Sequence, residues 1–168
     1  LCKVLYNYGG MLLPKSFICL ENLHDLHTKC LDETCMYVGE FVNNNLNSVN
    51  KHFTAHMTMM GCCKESEHMK RFIVYLEEIF GTDFTEEVSM KGKLNEWLDN
   101  EVDKDNIVLI PGEFIGTKKS NYDKILIEDL LSVSENICDC KLIGIYVPAQ
   151  QILERQKYQY YSRLSLTQ

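Results

Sequence analysis

A chain of 168 residues with 45% hydrophobic and 24% charged residues has the composition of an ordinary folded domain and is long enough to bury about two-thirds of its unfolded surface. Such a composition excludes an intrinsically disordered chain, and no run approaches the ~20 apolar residues that a membrane-spanning helix needs. The net charge of −7 argues against a nucleic-acid binder, because phosphates are neutralised by a basic face.

In chain order, residues 1 to 15 are punctuated by Gly9, Gly10 and Pro14, and the apolar opening LCKVLY predicts a strand or an extended arm. Ser16 is placed to cap a helix whose Cys19, Leu23, Leu26 and Cys30 share one face. His24 and His27 lie at the margin of that face and read as surface histidines.

The stretch from Cys30 to Cys63 supports two readings. Val38, Phe41, Val42, Leu46, Val49, Phe53, Met57 and Met60 recur at steps of three and four, which predicts one long amphipathic helix, weakened at Gly39 and at Asn43, Asn44 and Asn45, and ended by Gly61. Alternatively Cys30, Cys35, His52 and His56 follow the ligand order of a Cys2His2 zinc site, with looser spacing than a finger uses. The helical reading is preferred because a finger needs strand where the stripe needs helix.

The eight cysteines, at Cys2, Cys19, Cys30, Cys35, Cys62, Cys63, Cys138 and Cys140, suit a disulfide-bonded, cysteine-rich protein in an oxidising compartment, or small core residues in a reducing one. The expected localisation is therefore extracellular if they are bridged and cytoplasmic otherwise. If the chain reverses between Cys30 and Cys35 and then runs as one helix, those two cysteines sit at one end of a helical hairpin and Cys62 and Cys63 at the other, nearer Cys2. The chain opens at Leu1 without a methionine, as a cleaved product or an excised segment would.

Two further helices follow. Met69, Phe72, Ile73, Leu76, Ile79 and Phe80 form a continuous apolar face closed by Gly81, and Thr85 caps a segment in which Met90, Leu94, Trp97, Leu98 and Val102 keep helical spacing. Trp97 is expected in the core. Between Glu77 and Asp105 there are ten acidic residues against three lysines, a surplus equal to the whole net charge. That flank reads as a solvated surface or as a docking face for a basic partner.

From Asn106 the pattern changes. Ile107 to Ile110 and Lys141 to Val147 predict two strands, possible parallel neighbours, with a helix over 122–133 between them and a terminal helix over 148–168 rich in glutamine and tyrosine. Gly112, Gly116, Lys118, Lys119 and Ser120 resemble a phosphate loop in residue type, since backbone amides and lysines can hold phosphate, but their spacing departs from G-x4-G-K-[ST]. Serine-hydrolase, zincin, Cys-x-x-Cys and dinucleotide motifs do not occur.

These readings predict a mainly α chain, a helical bundle over 1–105 with a small α/β portion over 106–168, α+β overall and forming one domain. The expected function is a non-enzymatic protein-binding domain without a cofactor. Its contacts to a basic protein partner would be Glu86, Glu87, Glu96, Asp99 and Glu101 on the acidic flank, with Tyr158 and Tyr161 in the tail. Phosphate binding at the 111–120 loop and a zinc-stabilised module are the alternatives.

Overall fold

In the computed structural model, residues 1–43, 52–82, 87–131 and 140–148 are described. The elements run α1 (Cys2–Tyr8), β1 (Gly10–Leu12), β2 (Phe17–Cys19), α2 (Leu23–Glu33), β3 (Met36–Val42), β4 (Phe53–Cys62), α3 (Glu67–Phe80), α4 (Glu87–Asp103), β5 (Val108–Ile110), α5 (Ile127–Leu131) and β6 (Gly144–Tyr146). Four strands form one mixed sheet in the order β1-β4-β3-β5, with β5 parallel to β3 and the other pairs antiparallel. β2 and β6 form a separate antiparallel ribbon. The α+β class holds, but the helical bundle does not: a central sheet organises the molecule.

The long central helix is the largest correction. Its residues form β3 and β4, an antiparallel pair with Met36 opposite Cys62, Tyr37 opposite Gly61 and Val38 opposite Met60. The strands are covered on both faces. Met36, Val38, Met60 and Cys62 enter one core, while Tyr37, Phe41 and Met59 enter the other. A strand buried on both sides is apolar at nearly every position, so a helical template finds matches in it wherever it is laid. Leu46 and Val49 of the expected stripe lie outside the described residues, as do Asn44 and Asn45.

The first core lies between the sheet and helices α1, α3 and α4, and centres on Met69, Phe72, Leu94 and Leu98. The second lies beneath α2, the β2–β6 ribbon and the loop after β5, and holds Cys30, Tyr37, Ile110 and Ile115. α3 and α4 follow the sequence expectation. Ser66 caps α3 by accepting from the Met69 amide at 3.4 Å. Trp97 packs beside Phe72 and stacks on Tyr75, with ring centroids 5.1 and 5.7 Å apart. Thr85, the expected cap of α4, lies outside the described residues.

Three shorter expectations change. LCKVLY is helical, because Cys2 and Leu5, three residues apart, both turn into the core. Asn22, not Ser16, caps α2, its side chain accepting from the His24 amide at 3.0 Å, so Cys19 falls in β2 and is exposed. The two C-terminal strands are not neighbours: β5 joins β3, whereas β6 pairs with β2. The helix predicted over 122–133 is limited to α5 within the described residues, and the terminal helix predicted over 148–168 lies outside them from 149 onward.

Candidate functional site

Part of the acidic flank is tied into the fold. Asp99 accepts from the Thr54 hydroxyl at 2.9 Å and from the Ala55 amide at 2.8 Å, tying α4 to β4. Glu101 is buried, with Arg71 at 3.1 Å, Lys104 at 3.1 Å and the Asn106 amide at 2.9 Å. Lys3 pairs with Glu77 at 2.7 Å. Of the five expected acidic contacts Glu96 is exposed, the Glu87 side chain and Glu86 lie outside the described residues, and so do Tyr158 and Tyr161 in the tail.

Burial pushes the Glu101 carboxyl up, but its bonds from Asn106 and Lys104 and the nearby Arg71 outweigh burial and hold it below the usual range. A carboxyl lowered in the folded state contributes stability above its unfolded value of ~4.3, and that contribution is lost as pH falls through the folded value. Urea midpoints followed from pH 7 to pH 3 should therefore fall more steeply for the native protein than for Glu101→Gln, with the two curves converging at the acid end.

The glycine-lysine loop closes on itself. The Thr117 amide donates to Gly112 O at 2.9 Å, and a Cβ on Gly112 would overlap the Thr117 hydroxyl. Lys118 is buried and pairs with Glu40 of β3 at 2.7 Å, while the same carboxylate oxygen accepts from the Gly112 amide at 2.8 Å. Lys119 pairs with Asp129 at 2.8 Å. Gly116 and Ser120 sit in the same turn region, and no helix begins directly behind it: α5 starts at Ile127. The geometry turns both lysines toward carboxylates of the chain itself.

The four zinc candidates are not gathered. Cys30 lies in the second core and Cys35 just before β3, while His56 pairs with Gly39, four residues further along the strand, roughly 13 Å away at strand rise. His52 lies beyond that again. The register slips at this point, leaving Met57 to Met59 as a bulge in which the Thr58 amide donates to His56 Nδ1 at 3.1 Å. Burial lowers the His56 pKa, with nearby Lys91 adding to the effect. Among the described residues no group of three or more His, Cys, Asp or Glu side chains is placed to hold a metal.

The expected disulfides are also unformed: Cys2, Cys19, Cys30, Cys35, Cys62, Cys63 and Cys140 carry free thiols, and Cys138 lies outside the described residues. Of the two expected surface histidines His24 is exposed and His27 half-buried, its Nδ1 2.7 Å from the hydroxyl of the buried Tyr37.

The feature that sequence reasoning missed is a groove of about 480 Å³ between α2 and β5. Its floor includes Leu26, Cys30, Phe114 and Ile143, and it is also lined by Val108, Leu109 and Ile110, three consecutive strand residues. Because alternate side chains of a strand leave opposite faces, a groove that reaches all three runs along the strand's edge. β5 ends the sheet, and among the described residues its backbone groups have no hydrogen-bond partner besides β3. The α2 wall carries Asp25, Glu33 and Lys29, and at one end Glu21 pairs with Lys141 at 2.7 Å. The run Ile107 to Ile110 before Pro111-Gly112 announced a strand, but nothing in it announced an edge.

The chain matches no protein family, no curated protein and no solved structure. Fold and site define it, over the described residues, as an α+β chain with a four-stranded mixed sheet that ends at β5 and an apolar groove beside that strand. No described helix is long and apolar enough to cross a membrane.

Proposed function

We propose that this chain is a non-enzymatic protein-binding domain that accepts an extended peptide segment along β5, adding a strand to the sheet. The observation that carries the reading is the β5 edge, unpaired among the described residues, opening into an apolar groove. An exposed edge offers main-chain donors and acceptors to an incoming strand, and the flanking pocket selects its alternate side chains. The acidic contact expected on α4 moves to α2, where Asp25 and Glu33 outnumber Lys29 at the groove. The peptide that fits alternates apolar residues with lysine or arginine, its apolar side chains over Leu26, Val108 and Phe114 and its bases toward α2.

Selection from a random display library should enrich such peptides. Their affinity, read by fluorescence anisotropy, should drop about tenfold in Asp25→Lys/Glu33→Lys, the sum of two reversed rim charges, and should weaken as salt is raised. Both residues are exposed, so the variant retains its fold. Failure to enrich any alternating peptide, or binding indifferent to these substitutions, would remove the reading.

A further inference from the structure

The β3–β4 pairing brings together two cysteines that are distant in sequence. Met36 stands opposite Cys62, and one step further along the same register Cys35 stands opposite Cys63, with the Cys63 amide donating to Cys35 O at 3.1 Å. Directly opposed residues joined by such a bond have Cα atoms about 5.5 Å apart, inside the span that a disulfide bridges. The Cys35 side chain lies near enough to that of Cys63 to raise its thiol. Both residues lie just outside the strand ends, Cys35 is exposed and Cys63 half-buried, so small reagents reach them.

We infer that Cys35 and Cys63 form a dithiol site for exchange with a small-molecule disulfide, closing to a reversible cross-strand bridge at the open end of the hairpin. Cys35 attacks as thiolate. Its sulfur bonds to one sulfur of the incoming disulfide and expels the other half as a thiolate. Cys63 then gives its proton to that thiolate and attacks the Cys35 sulfur, expelling the second half as a thiolate, which takes from water the proton that Cys35 released. Two protein thiols are oxidised to one bridge, and one small disulfide is reduced to two thiols.

The surroundings divide these roles. Cys35 is the exposed thiol and meets the reagent first, while burial and the neighbouring Cys35 push the half-buried Cys63 thiol up to about 11, which makes it the resolving partner. Neighbouring Cys62 takes no part: it is fully buried, its Sγ donates to Leu5 O at 3.4 Å, and burial together with Cys63 and Cys2 pushes its thiol up to about 12. Cys2 and Cys30 are buried as well, and burial raises both.

The test is incubation of the full chain with oxidised glutathione, followed by non-reducing peptide mapping by mass spectrometry. The expected product is a single cross-link between the Cys35 and Cys63 peptides, two hydrogens lighter than the reduced pair. It should be reversed by dithiothreitol and accompanied by a rise in Tm of about 5–10 °C, because closing a loop of this length restrains the unfolded chain. Cys63→Ser should instead accumulate a glutathione adduct at Cys35, and Cys63→Ala repeats the test should serine disturb the fold. A cross-link between any other two cysteines, or unmodified Cys35 in both variants, would overturn the assignment.

Discussion

Replacing Lys118 with methionine is expected to lower the stability of the protein by about 3 kcal/mol, the lower part of the range for removing one partner of a buried ion pair. The side chains of Lys118 and Glu40 are only 9% and 14% exposed, and their 2.7 Å contact joins the loop after β5 to the middle of the sheet. Methionine keeps an unbranched stem of similar length. What it removes is the cation, which also sits over the Phe53 and Tyr122 rings, leaving the Glu40 carboxylate with the Gly112 amide. Restoring neutrality with Glu40→Gln in the same chain should recover much of the loss, since a neutral amide costs less to bury than an unpaired charge. Denaturant midpoints of the two single variants and the double variant measure this directly. A loss below about 1 kcal/mol for Lys118→Met would mean that water, not Lys118, solvates Glu40. A phosphate group entering this loop would have to displace Glu40 from Lys118 first.

A comparable loss, about 3 kcal/mol, is expected for Gly61→Ala, at the upper end of what overpacking costs. A methyl group on Gly61 would overlap the ring and hydroxyl of Tyr37, its partner across the strands. The ring has nowhere to retreat. It is fully buried, and its hydroxyl is held by His27 at 2.7 Å. Moving it would break that bond and shift the packing of α2 on the sheet. Gly81→Ala serves as the control, because its Cβ would make only ordinary contacts at 3.5 Å and its φ of −77° suits any residue. Its effect should stay within about 0.5 kcal/mol. Equal losses at both glycines, compared by urea denaturation, would contradict the packing described for Tyr37.

Gly61 also illustrates why the centre of the molecule was misread. In the sequence it looks like a helix stop after a run of methionines. In the structure it is a strand position kept small by a tyrosine 24 residues earlier. The alternation of Met36, Tyr37 and Val38 between two cores carries no period visible in one dimension, because both faces are apolar. The same limit applied to the candidate sites. Asp99 and Glu101 look like solvated charges until β4, Arg71 and Asn106 are placed beside them. Lys118 looks like a phosphate ligand until Glu40 is beside it.

Some of the protein was legible directly. α3 and the body of α4 follow from apolar spacing, because each turns one face to a core and the other to water, and Gly81 marks the end of α3. The strand at Val108–Ile110 follows from a short β-branched run closed by proline and glycine. These are local properties, set by contacts between residues a few positions apart. That β5 joins β3 and ends the sheet of the described residues was decided only by the tertiary structure, as was the meeting of Cys35 with Cys63. Strand neighbours are chosen by how two cores close around the sheet, and that choice rests on pairings across dozens of residues that no local pattern encodes.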